Sequence, residues 1–229
     1  MTPHLRPASL SDLGTITRFR LQRTNWLAAR GSDQWTRTGR GLPIETFVRS
    51  VAQAVRNGET WIAEVNGEPA ATITVNDRAD ENLWSPGELA DAVIIHYMIV
   101  DLRFAGLRVG ESLLAHAACL ARRKHRTWVR LDAWTTNEAL HAYYLRSGFH
   151  LARIAGPEAT GPSRALFERP TADWTAPHTS TYPPLTPATT EPTLFTLPLT
   201  PPTTWPLPHS PFLRPHPGVV AEPGPAPTT

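Results

Sequence analysis

Apolar residues recur at helical spacing at Leu10, Leu13, Ile16 and Phe19, and again at Phe47, Val48, Val51 and Val55, which predicts two amphipathic helices early in the chain. Ser9 or Ser11 supplies an N-cap for the first, with Asp12 in its opening turn, and Gly31 closes it. Pro43 opens the second and Asn57-Gly58 ends it. The period then changes. β-rich runs near 60–65 and 70–76 flank Asn66-Gly67, a dipeptide whose tolerance of positive φ predicts a tight hairpin. Residues 92–100, within DAVIIHYMIV, are almost uninterruptedly apolar, as a strand buried on both faces should be. Leu113, Leu114, Ala117, Leu120 and Ala121 mark one face of a helix over 110–124, whose end collects Arg122, Arg123 and Lys124 where cations suit the helix dipole. TWVRLDAW reads as a strand, TTNEALHAYYLRSG as a helix stopped by Gly148, and FHLARIA and RALFERP as the last strands. Helices and strands alternating in this way predict an α/β fold, a mixed central sheet with helices on both faces.

The pattern breaks near Pro170. From Thr171 to Thr229 the chain holds 16 of its 24 prolines and 14 threonines but only four charged residues, and each proline removes a backbone donor and restrains its predecessor. Such a segment cannot build helices or ladders. We therefore expect residues 1–170 to form the folded domain and 171–229 a disordered Pro/Thr-rich tail that could dock an unidentified partner through Trp174, Phe195, Trp205 or Phe212.

Charge and cysteine content exclude several functions. A net charge of +2 leaves no basic footprint for nucleic acid, and no apolar run approaches the ~18–20 residues that span a bilayer. Cys119 is the single cysteine and the N-terminus lacks a signal-peptide pattern, so a cytoplasmic protein is expected. No His/Cys spacing suggests a metal site, and Ser112 lacks a nucleophile elbow.

The candidate chemistry begins at VDLRFAGLRVGESLLAHA, where an apolar strand runs into a glycine-bearing turn and then a helix. That arrangement aims unpaired amides and the positive end of a helix dipole at an anion. Neither GxxxxGK[ST] nor GxGxxG is present. Taken together, MIVDLRFAGLRVGESLL and NEALHAYYLRSGF resemble the GNAT superfamily of N-acetyltransferases, whose acetyl-CoA loop reads Gln/Arg-x-x-Gly-x-Gly/Ala. Ala105 stands at the Gln/Arg position, Arg108 at the first motif glycine and Gly110 at the last, while Gly106 falls where many members also carry glycine. Asn137, Tyr144, Gly148 and Phe149 reproduce the family spacing Asn-x₆-Tyr-x₃-Gly-Phe.

The resemblance implies the GNAT acyl-CoA fold over the whole globular part, with acetyl-CoA as cosubstrate. Backbone groups of Ala105, Gly106, Leu107, Arg108, Val109 and Gly110 would hold the pyrophosphate, and those of Met98, Ile99 and Val100 would pair with the pantetheine arm like an added strand. Arg108 departs from the motif. Either the backbone is ordinary there and the side chain lies in solvent, or the guanidinium folds back on a CoA phosphate, or the loop no longer binds acetyl-CoA. Tyr144 occupies the family's general-acid position, with Tyr143 about 100° away on the helix. His96 falls where the family often keeps a glutamate base; strand alternation places it on one face with Met98 and Val100. Tyr144 could equally cover the sheet, and His96 could be a satisfied core histidine. Asn137 could cap its helix and also reach the cofactor.

On the acceptor side, Asp33 could attract an ammonium and Trp35 pack on it, both within GSDQW between the first two helices; Asp77, Asp80 and Glu81 offer further negative charge. The expected activity is direct transfer of acetyl, in a ternary complex, to the primary amine of a small molecule, less readily of a protein, by a monomer or homodimer. The alternative is a catalytically idle CoA-binding or interaction module with a Pro-rich docking tail.

Overall fold

A computed structural model describes residues 2–32, 34–35, 42–159 and 161–174. Asp33 and most of the segment from Thr171 to Thr229 therefore lie outside the described residues. The described chain forms one seven-stranded sheet, in spatial order β1-β2-β3-β4-β5-β7-β6. The strands are β1 (His4–Pro7), β2 (Thr60–Val65), β3 (Glu68–Asn76), β4 (Ala92–Val100), β5 (Trp128–Ala133), β6 (His150–Ile154) and β7 (Ala165–Pro170). Neighbours pair antiparallel except β4 and β5, which run parallel.

Helices cover both faces, as the polarity pattern predicts. On one side α4 (Val109–Arg123) sets Val109, Leu113, Leu114, Ala117 and Ala121 against Ile73, Val75, Val93, Ile95, Val129 and Leu131 of the sheet, and α5 (Glu138–Arg146) adds Tyr144. On the other side α1 (Leu13–Ala28) and α2 (Ile44–Arg56) bury Ile16, Phe19, Phe47, Val51 and Val55 against Ile62 and Ile99. The short α3 (Pro86–Ala90) lies before β4, opened by Ser85, whose side chain accepts from Glu88 N–H. The hairpin forms as expected: Asn66 and Gly67 take φ of 54° and 79°.

The packed domain runs past Pro170. Thr171 is buried, and its N–H donates to the Thr127 carbonyl at 2.7 Å. Trp174 packs edge-on against Phe149 at 5.7 Å under the Arg169 guanidinium. Residues 171–174 thus belong to the domain rather than to a solvated tail.

One irregularity positions the site. The β3–β4 register shifts between Thr72 and Thr74, where Tyr97 takes φ of 50°, making a β-bulge at a residue that gains nothing from a left-handed backbone. Beyond it β4 no longer follows β5: their pairing ends at Ile95↔Leu131, and the two strands part at their C-terminal ends.

Candidate functional site

The bulge inverts the strand's alternation. Val93 and Ile95 face α4, and so do Met98 and Val100, whereas Tyr97 and Ile99 face α1 and α2. His96 lies on that second side, with its Nε2 3.1 Å from Asn76 Oδ1 and 2.9 Å from the Arg78 carbonyl. The expectation that His96 shares a face with Met98 and Val100 is therefore corrected, because regular period-two counting fails across an inserted residue.

The partners of His96 fix its tautomer. Asn76 Oδ1 already accepts from Arg78 N–H at 3.0 Å, so both neighbours of Nε2 are acceptors and Nε2 carries the proton. Nδ1 is left with its lone pair. Burial pushes the imidazole below its ordinary range; the Arg78 carbonyl opposes that and the nearby Arg78 charge reinforces it, so His96 stays neutral at pH 7.

Where the strands part, β4 offers a free edge. Asp101 N–H bonds back to Ala70 of β3 at 2.8 Å, so alternation turns the backbone groups of Val100 toward the gap. The Val100 carbonyl already accepts from Arg23 of α1 at 2.8 Å. Asp101 itself has no exposed surface and gathers donors from two elements: Arg103 N–H at 3.0 Å from the turn it caps, the Arg103 guanidinium at 3.1 Å, and Arg18 and Gln22 of α1, each at 3.2 Å. Burial alone would raise this carboxyl, but these donors outweigh it and hold it below the ordinary range.

The turn leading into α4 has the left-handed residues of an anion cradle. Gly106 takes φ of 83° and Arg108 φ of 59° with ψ of 17°. The reading that Arg108 has ordinary dihedrals is corrected: the backbone keeps a conformation suited to glycine, and arginine bears the strain. Its side chain is 79% exposed and grips Glu111 of the first α4 turn at 2.6 and 2.8 Å. No side chain caps α4, so the amides of its first turn are open to a ligand. Gly110 serves a second purpose. A Cβ there would meet Tyr143 Oη at 2.4 Å, so glycine makes room for that phenol above the first α4 turn.

The adjacent tyrosines divide as helix geometry predicts. Tyr144 is buried among Phe149 and Phe167, with ring centroids at 5.7 and 5.6 Å. Burial raises its phenol strongly, and the charge of Asp132 raises it further. Asn137 caps α5, accepting from Leu140 N–H at 3.0 Å, while its amide donates to Gln34 at 2.8 Å and so ties the α1–α2 connection to the start of α5. Trp35 does not offer both ring faces to a ligand, because the buried Arg20 guanidinium lies 3.6 Å from its centroid.

Asp132 is the residue at this gap that sequence reasoning did not single out. It follows the last residue of β5 paired with β4, and burial, aided by the charge of Asp80, raises its carboxyl to about 6. The only sequence signal is a carboxylate interrupting the apolar strand WVRLDAW near its end. Among the described residues no cluster of three or more His, Cys, Asp or Glu could hold a metal, and no helix is long and apolar enough to cross a membrane.

Comparison with known proteins agrees with this fold. The family model described as an acetyltransferase (GNAT) domain matches residues 56–151, which run from the end of α2 into β6. The uncharacterized N-acetyltransferase YesJ of Bacillus subtilis (strain 168) is 28% identical over 166 residues, covering 71% of this chain and 87% of YesJ. A GNAT-family acetyltransferase structure from Listeria monocytogenes 4b F2365 superposes with a TM-score of 0.59 at 22% identity, covering 73% of this chain and 94% of its own. YncA from Salmonella typhimurium, solved with its cofactor acetyl-CoA, superposes at 0.53 with 15% identity over 77% of this chain and 98% of YncA.

Proposed function

The chain belongs to the GNAT acetyltransferase superfamily, and on that premise we propose that it moves the acetyl group of acetyl-CoA directly onto the primary amine of a small molecule. The observation that carries this reading is the parting of β4 from β5 after Ile95↔Leu131, with an uncapped α4 beside it and Tyr144 in the core that packs against α4. The free edge of β4 at Met98, Ile99 and Val100 suits an extended pantetheine arm, and the amides from Ala105 to Gly110 suit a pyrophosphate. Acetyl-CoA is the cosubstrate expected of the superfamily, and the YncA structure holds it.

Direct transfer needs a neutral amine, a polarised carbonyl and a proton for the departing thiolate. Tyr144 supplies that proton. Its raised phenol is fully protonated at pH 7, and its packing among Phe149 and Phe167 fixes where the hydroxyl sits. His96, neutral and anchored through Nε2, presents Nδ1 as the acceptor that orients the amine. The α1–α2 side of the sheet is the acceptor side, since α4 and the open edge of β4 take the cofactor.

Tyr144→Phe tests the reading, because it keeps the ring and removes only the hydroxyl. With CoA release followed over a panel of amines, kcat should fall at least ~30-fold while CoA affinity holds, within the range of general acid catalysis. Tyr143→Phe should leave turnover nearly unchanged. Equal behaviour of the two variants would assign the thiolate's proton to another donor; CoA binding with no acetylated amine would leave an interaction module.

A further inference from the structure

Three arginines on the acceptor side of the sheet are committed to carboxylates, while the buried Arg20 and the half-buried Arg23 of α1 bond to Thr24 and to the Leu42 and Val100 carbonyls instead. Arg78 pairs with Glu59 at 2.6 Å, Arg130 with Glu168 at 2.7 Å and Arg153 with Glu88 at 2.7 Å. Asp132 is in no ion pair among the described residues, and the hydrogen bond its carboxylate accepts is from its own backbone N–H. It is half-buried, so water does not fully replace the missing cation. A carboxylate kept in this state is matched to a cation that arrives from outside.

Its position is equally specific. Leu131 is the last β5 residue paired with β4, opposite Ile95, so Asp132 and His96 are the next residues on the two strands and sit across the mouth of the gap. Val129, Leu131 and Ala133 face the α4 side, and strand alternation sends Asp132 to the opposite face, the side on which His96 and Tyr97 lie. Its charge also raises the phenols of Tyr97 and Tyr144, each already raised mainly by burial.

We propose that Asp132 meets the acceptor as its ammonium ion and takes the first proton from it, an assignment that rests on the acetyl-transfer reading above. The proton passes from R–NH3+ to the carboxylate, leaving neutral R–NH2 held by a hydrogen bond to His96 Nδ1. The amine lone pair then forms the C–N bond at the thioester carbonyl. On collapse the C–S bond breaks and the sulfur takes the Tyr144 phenol proton, which the second amine proton replaces. Asp132 returns its proton to solvent. The sum is R–NH3+ plus acetyl-CoA giving the amide, CoA–SH and one proton.

The surroundings suit that task. Burial and the Asp80 charge raise Asp132 to about 6, close enough to neutrality to take a proton and lose it again. Its charge reaches the Tyr97 and Tyr144 phenols, both protonated at pH 7; the buried Arg20 guanidinium of α1 acts on the same Tyr97 phenol, and His96, the residue across the gap on β4, is neutral. Arg130 is its neighbour along β5 but is committed to Glu168. The same negative charge disfavours an acceptor with an anion beside its amine, so cationic amines without an adjacent carboxylate are the matching class.

The test is kcat/KM for the best amine of a panel, measured from pH 5 to 9 with acetyl-CoA saturating. The wild type should show an acid limb near pH 6. Asp132→Asn should lower kcat/KM at least ~30-fold and abolish that limb, with CoA affinity unchanged and a melting temperature at pH 7 no lower than the wild type's. Asp132→Glu should recover part of the rate, and Asp132→Ser should repeat the loss if the asparagine variant folds poorly. An Asp132→Asn enzyme that keeps both rate and limb overturns the assignment, as does a limb that vanishes in His96→Gln instead. If the wild type binds CoA and acetylates no amine, the acetyl-transfer reading itself fails and this assignment falls with it.

Discussion

Tyr143 Oη lies over the α-carbon of Gly110, so close that a Cβ at that position would meet it at 2.4 Å. The glycine that ends the loop motif therefore has a steric partner inside the protein, independent of any ligand. Gly110→Ala should destabilise the domain by about 1–3 kcal/mol, the cost of overpacking, and weaken CoA binding as the first α4 turn shifts. Because the next atom of the tyrosine, Cζ, would be 3.4 Å away, adding Tyr143→Phe should restore most of the lost stability. Urea denaturation of the single and double variants checks this; no rescue would mean that the loop backbone, not the phenol, resists the methyl.

Arg108 carries a left-handed backbone at φ of 59°. Arg108→Gly should therefore raise stability by about 1 kcal/mol, since the αL cost to a non-glycine exceeds the loss of an exposed ion pair with Glu111. Arg108→Ala keeps the strain and should not stabilise. That exposed pair also opens cheaply. We expect the guanidinium to leave Glu111 for a CoA phosphate, so both variants should bind CoA about ten- to a hundredfold more weakly by calorimetry, the range of a charge-assisted hydrogen bond. Unchanged affinity would keep Arg108 on Glu111.

Two groups perturbed by burial oppose each other in mild acid. His116, packed edge-on against Trp61 at 4.3 Å, is lowered to about 4 by burial and by the Arg123 charge, while Asp132 is raised to about 6. Between pH 6.5 and 4 the unfolded chain binds more protons at His116, so acid costs stability there. Between pH 6 and 4 the folded chain binds more at Asp132, so acid restores it. Each contribution is on the order of 3 kcal/mol, and they largely cancel, with His96 adding to the acid-labile side. His116→Gln should make the domain more stable at pH 5 than at pH 7, and Asp132→Asn should make it more acid-labile than the wild type. Chemical denaturation at the two pH values decides; parallel responses would mean that neither group is perturbed as described.

Truncation locates the C-terminal limit of the folded domain. A chain ending at Pro170 lacks the Thr171 bonds to Thr127 and the Trp174 ring over Phe149, and should be about 2–4 kcal/mol less stable than one ending at Trp174. Equal melting temperatures for the two chains would show that these contacts contribute nothing.

The long elements are legible in the sequence because each carries a period: α2 places Phe47, Val51 and Val55 on one face, and β4 is apolar throughout. Elements without room for a period are not. β1 has four residues and α3 five, too few to display one. The bulge is hidden for another reason. Tyr97 is neither glycine nor asparagine, so nothing local announces its positive φ, and period-two counting puts His96 on the wrong face as a result. Motif spacing singles out Tyr144, which the fold buries, and Asn137, which caps α5. It does not single out Asp132, whose place at the point where β5 loses its neighbour is a tertiary fact.

Asp101 has a consequence for how freely this architecture can be rebuilt. One carboxylate with no exposed surface holds Arg18 and Gln22 of the first helix together with Arg103 of the loop that leads to α4. The first helix and the turn into α4 are thus not interchangeable modules. An α1 transplanted from a relative must bring donors at the Arg18 and Gln22 positions, or it leaves a buried charge short of partners and loosens the turn into α4 along with the helix it was meant to replace.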